Sequence, residues 1–144
     1  MSILKKIAAV TALAVPMLVA IPATAQASTP SGCSSVTQIG STAYLNVGGE
    51  TMASVKQYKG CGKNYSYLYV WQSYRSAHSD WDACAAIVTN GGHSVQDPQC
   101  GHNEVELWSL GADTLSQCTQ ALGWNGNDGM PYPGDIAVKT DERC

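Results

Sequence analysis

Tyr65, Tyr67, Tyr69 and Trp71 alternate with Ser66, Leu68 and Val70. In a β-strand this period of two throws four aromatic rings to one face and the aliphatic side chains to the other. Phenol and indole rings combine a large apolar area with a polar tip, which suits them to gripping sugar rings or a protein surface. The spacing permits two readings. In one, the strand lies between two layers and all of it is core, because aromatic side chains pack well in strands. In the other, Leu68 and Val70 face the core and the rings form an exposed platform. The second reading makes Tyr65, Tyr67, Tyr69, Trp71 and, from a neighbouring run, Trp108 the candidate ligand-binding residues.

Other residue types point to catalysis more weakly. Glu104, Glu106 and Trp108 share a face if residues 104–110 form a strand. Their carboxyl groups would then approach the roughly 5 to 5.5 Å separation of a retaining glycosidase. Acidic residues on the wet face of a half-buried strand are ordinary, however. Ser73 or Ser76 with His78 and Asp80 supplies the residue types of an acyl-transfer triad, but no serine sits in a Gly-x-Ser-x-Gly elbow. His93, His102 and Asp97 form a sparse metal set, and a metal site needs three or four converging ligands. Asn125-Gly126-Asn127-Asp128-Gly129 has the composition of a calcium loop but lacks its later oxygen ligands, and is read as a turn. No catalytic residue, metal ligand or cofactor is therefore assigned.

The elements that must hold these residues begin after a segment of different character. Lys5 and Lys6, an apolar stretch from Ile7 to Ile21 and Ala23-Thr24-Ala25-Gln26-Ala27 match a secretory signal peptide over residues 1–27. The stretch is too short for a membrane span, which needs about 20 apolar residues. The expectation is a single secreted, extracellular domain over residues 28–144 with no membrane attachment after cleavage. Of the 8 basic and 11 acidic residues, only Lys5 and Lys6 fall in the leader, so the remainder carries 6 basic against 11 acidic residues, a net of −5. Nucleic-acid binding requires a basic face, so nucleic acid is excluded as a partner.

All 6 cysteines lie beyond residue 27, and an even count in an oxidising compartment reads as three disulfides. No Cys-x-x-Cys pair favours metal. Cys61-Gly62-Lys63-Asn64 and Cys100-Gly101-His102-Asn103 each precede a Trp-containing run and a further cysteine, a faint duplication. If each half closes its own loop, the pairs are Cys61 with Cys84, Cys100 with Cys118, and Cys33 with Cys144.

Dense turn signals separate short alternating runs and predict a mainly β fold, a small disulfide-stabilised antiparallel sandwich or open barrel. Thr42–Val47, Thr51–Tyr58 and Glu104–Leu110 read as half-buried strands, and Asn90-Gly91 between Thr89 and Ser94 signals a two-residue hairpin. The alternative is an α+β fold. Trp81, Cys84, Ala85 and Val88, like Leu115, Cys118, Thr119 and Leu122, fall at helical spacing, which would give short helices near 79–90 and 113–122.

The segment Val55-Lys56-Gln57-Tyr58-Lys59-Gly60-Cys61-Gly62-Lys63-Asn64-Tyr65 resembles the extended run, cysteine and Gly-x-Asn-aromatic pattern of YjfA-like secreted proteins of actinobacteria. The resemblance implies a small exported β-domain with disulfides and carries over no catalytic residue. Together these readings lead to a small secreted, non-catalytic binding module whose partner is a polysaccharide or cell-wall surface. The alternatives are an inhibitor of an extracellular hydrolase, presenting a preorganised loop such as Gln96–His102 to a protein partner, and a small glycosidase-like enzyme.

Overall fold

The computed structural model describes residues 28–144, so the expected signal peptide, residues 1–27, lies outside the described residues. Eight strands and one short helix follow in the order β1 (Thr37–Val47), β2 (Glu50–Gly60), β3 (Lys63–Val70), α1 (Gln72–Ala77), β4 (Asp82–Thr89), β5 (Ser94–His102), β6 (Glu106–Trp108), β7 (Gln120–Trp124) and β8 (Ala137–Lys139). They form two antiparallel four-stranded sheets, β1-β2-β3-β6 and β5-β4-β7-β8. The mainly β expectation holds, with the sheets stacked as a sandwich.

Period-two patterning decides which residues fill the space between the sheets. Leu45, Ala53, Val55, Leu68, Val70 and Leu107 of the first sheet meet Ala83, Ala85, Ile87 and Ala121 of the second. Small residues on β4 and β7 let the layers approach closely. A Cβ added at Gly123 would lie 2.5 Å from Val55 Cγ2 and 2.9 Å from Leu68 Cδ1. Toward one end the interior turns polar but remains bonded: Gln57 Nε2 donates to Thr119 Oγ1 at 2.6 Å and Ser66 Oγ to the Leu122 carbonyl at 3.1 Å. The match is incomplete, since Gln57 Oε1 and Asn64 Oδ1 are buried without a partner.

The alternative reading, short helices near 79–90 and 113–122, is not what forms. The first span holds β4, and the second runs through turns into β7. The helical spacing misled because β4 is buried on both faces. Ala83, Ala85 and Ile87 face the main core, while Cys84, Ala86 and Val88 join Leu122 and Trp124 in a second cluster on the outer side. A strand with no wet face loses its alternation, and an apolar run then mimics a helix. The helix that does form, α1, has no side-chain cap at its N-terminus and left no signal in the sequence. The hairpin at Asn90-Gly91 is present, but its loop extends over four residues. Thr89 pairs with Ser94, and Asn90, Gly91 and Gly92 all have positive φ.

None of the three expected disulfides is correct. The pairs are Cys33–Cys61, Cys84–Cys100 and Cys118–Cys144. Each cysteine joins the next along the chain because strand register sets its neighbour. Cys84 and Cys100 stand opposite each other across β4 and β5. A bridge between Thr119 and Arg143 brings Cys118 to Cys144, and Ser35 and Val36 run against Gly60 beside Cys61. Cys61 and Cys84 belong to different sheets. The apparent duplication has no structural counterpart either, since Cys61 lies in the β2–β3 turn and Cys100 within β5.

Candidate functional site

The outer face of the first sheet carries the aromatic residues, as their alternation predicts. In register across the strands, Val55, Leu68 and Leu107 form an inner row, whereas Lys56, Tyr67 and Trp108, and then Ser54, Tyr69 and Glu106, form outer rows. The rings are not equally accessible. Tyr65 and Tyr67 are each 4% exposed. The Trp108 ring lies 4.6 Å from Tyr67, 5.0 Å from Tyr58 and 6.3 Å from Tyr65, centroid to centroid. Tyr67 Oη donates to Glu106 Oε2 at 2.7 Å, and Trp108 Nε1 donates to Ser28 Oγ at 3.0 Å. Burial, reinforced by the bond to Glu106, lifts the Tyr67 phenol far above the usual tyrosine pKa. Tyr65 and Tyr67 thus pack beneath the half-buried Trp108, and these two buried rings drop out of the expected five-ring platform.

What remains open lies toward the far end of the same face. Tyr69 is half-buried, Trp71 is 41% exposed, and their centroids are 6.3 Å apart in an edge-on arrangement. Tyr44 of β1, 53% exposed, joins them: it pairs with Ser54, which pairs with Tyr69, so small Ser54 forms the floor between two phenols. Glu106 closes the row beyond Tyr69. Sequence reading missed Tyr44 because it stands alone among Ala43, Leu45 and Val47. Its position opposite Tyr69 depends on the register of three strands.

The catalytic constellations separate. β6 begins at Glu106, so Glu104 is outside the strand, and Glu106 is engaged by Tyr67. His78 Nε2 meets Glu50 Oε2 at 2.8 Å and stacks on Tyr74, Ser76 Oγ donates to the Gln72 carbonyl, and Asp80 turns to His102. His93 and His102 flank opposite ends of β5, on the order of 30 Å apart at about 3.4 Å per residue. The segment Gln96–His102 is itself β5 rather than an inhibitory loop. Asn125 Oδ1 accepts from the Ile136 N–H at 2.6 Å, closing a surface loop. Among the described residues, Cys118, Glu142 and Cys144 come close enough to suggest a metal, but both cysteines are bound in a disulfide.

His102 occupies a tight charged cluster that catalytic reasoning did not anticipate. Its Nδ1 lies 2.8 Å from Asp82 Oδ1 and its Nε2 3.0 Å from Asp80 Oδ1. The bond to Asp82, aided by the charge of Asp80, raises the imidazole above its ordinary value of 6.5. The group sits on the open surface, and both nitrogens are occupied, so it acts as a clasp.

A cleft of about 520 Å³ opens where the C-terminal segment crosses β1, lined by Gly40, Lys59, Asn64, Gln117, Thr119 and Arg143 among others. A bulge shapes it: Gly40, Ser41 and Thr42 stand opposite Lys56 alone. Gly40 has φ +74°, and a Cβ there would meet Asp141 Oδ1 at 2.7 Å. Asp141 instead accepts the Ser41 N–H at 2.7 Å and holds Arg143 at 2.9 Å. The cleft's charged lining side chains are Lys59 and Arg143, both basic. No protein-family model matches the chain, and no match is found among curated proteins or solved structures.

Proposed function

We propose that the protein is a non-catalytic extracellular binding module that holds a polysaccharide on the outer face of its first sheet. The observation that carries this reading is the row Tyr44, Ser54 and Tyr69 with Trp71 beyond it: accessible rings, held in register by three strands, around a small central residue. Such rings stack against the apolar faces of sugars while phenol hydroxyls and the neighbouring Glu106 carboxylate meet sugar hydroxyls. The packed cluster of half-buried Tyr58 and Trp108 with buried Tyr65 and Tyr67 acts as its rigid support, so little ordering entropy is lost on binding. The three disulfides fit an extracellular protein. No helix among the described residues is long and apolar enough to cross a membrane. In this reading the chain stands beside the YjfA-like secreted proteins that Val55–Tyr65 resembles.

Retention of the oxidised protein on insoluble chitin, cellulose and bacterial cell wall is the test. One of these should hold it, and the double substitution Tyr69→Ala with Trp71→Ala should weaken retention about 10- to 100-fold, as loss of two aromatic contacts of about 1 kcal/mol each implies. The melting temperature should stay within a few degrees. No retention of the native protein on any of the three, or equal retention of the variant, removes the reading.

A further inference from the structure

Four strand edges border the two sheets, and three are protected. β6 and β8 have 3 residues each, too short to recruit a partner. β5 is blunted by Asp97 at φ 52° followed by Pro98, which lacks an N–H. β1 is different. Its first half is closed by the Gly40 bulge and by Asp141, which takes the Ser41 N–H. Its second half, Thr42-Ala43-Tyr44-Leu45-Asn46-Val47, carries no charge and no proline, and the register shift between Leu45 and Asn46 places its extra residue, Met52, on β2 and leaves β1 continuous.

The direction of its backbone groups follows from the ladder. The Met52 carbonyl accepts the Trp71 N–H and so points toward β3. Alternation along β2 then turns Ala53 and Val55 toward β1, where they pair with Leu45 and Ala43. The intervening N–H and C=O groups of Tyr44 point out of the sheet, and among the described residues no strand pairs with β1 on that side.

We infer that this edge pairs with the same edge of a second copy of the chain. A twofold axis normal to the sheet near Tyr44 makes two β1 strands antiparallel and keeps both outer faces on one side. The two four-stranded sheets become one of eight strands, with the aromatic rows of both copies running Trp71, Tyr69, Tyr44 and then Tyr44, Tyr69, Trp71 of the partner. An uncharged strand is complementary to itself, which a net-acidic protein needs wherever two copies meet. Six residues of edge bury less than the roughly 1,200–2,000 Å² of a stable interface, so the dimer is weak. The pairing rests on the edge alone. Only its consequence, avidity for a repeating polymer, rests on the polysaccharide reading.

Sedimentation of the oxidised protein without any ligand, from low micromolar to about 0.5 mM, should show the mass rising to that of a dimer and stopping there. The double substitution Thr42→Lys with Asn46→Lys sets residue 42 of each copy opposite residue 46 of the other as paired like charges and should hold the protein monomeric with its melting temperature little changed. A monomer at the highest concentration, growth past the dimer, or a lysine variant that associates as the native protein does would each overturn the inference. Polysaccharide retention is measured separately, so its failure is distinguishable from failure of the dimer.

Discussion

His102 lies between Asp80 and Asp82, and the protonated ring satisfies both carboxylates where the neutral ring can donate to only one. The clasp joins the approach to β4 with the end of β5. Asn103 reinforces it by accepting the Trp81 N–H at 2.9 Å through its side chain. Because the folded pKa is raised, the folded chain binds this proton more tightly than the unfolded chain does. The stabilisation is complete below the unfolded value of 6.5 and is lost as pH rises through the higher folded value. An NMR titration should place the His102 midpoint above 6.5, with Asp82→Asn bringing it down, and the alkaline loss of melting temperature should shrink in that variant. A native midpoint at or below 6.5 would contradict the clasp. Sequence inspection saw His102 as a metal ligand candidate, since nothing in the linear order shows that Asp80 and Asp82 face it across a strand pair.

β7 is the element on which the contact between the sheets depends. Its Gly123 sits over Val55 and Leu68, and both faces of the strand are buried. Gly123→Ala therefore drives a methyl group into two core side chains that have little room to move. It should destabilise the protein by about 1–3 kcal/mol, although alanine is the better residue elsewhere in a chain. Urea unfolding checks this, and an unchanged midpoint would show that the sheets can separate without cost. Thr42–Val47 and Thr51–Tyr58, where apolar and polar residues alternate, were legible from that alternation alone. β4 and β7 left a helical alternative open, because a second apolar cluster around Trp124 covers their outer side and erases the period.

Across the whole molecule the disulfides close three successive loops, with sequence separations of 28, 16 and 26. No loop encloses another. In the chain-entropy model each then acts independently on the unfolded state and contributes about 3 to 3.6 kcal/mol. Their sum, about 10 kcal/mol, is comparable to the total stability of a small domain. Reduction should consequently lower the melting temperature by tens of degrees, and peptide mapping should recover Cys33 with Cys61, Cys84 with Cys100 and Cys118 with Cys144. A fall of less than about 5 °C on reduction would show that the two cores hold the fold without them.

Residue order by itself determined what depends on local chemistry: a mainly β chain, three disulfides in number, the hairpin after Thr89, and the two faces of Tyr65–Trp71. Periodicity and turn residues act over a few positions, so a linear reading captures them. Only the tertiary structure decided which cysteines meet, which aromatic rings stay open and which strand edge stays free. Each of these is a relation between segments distant in the chain. Tyr67 is covered because Trp108 arrives beside it from β6, while Tyr44 is brought to Tyr69 through Ser54 by pairings that no local pattern specifies.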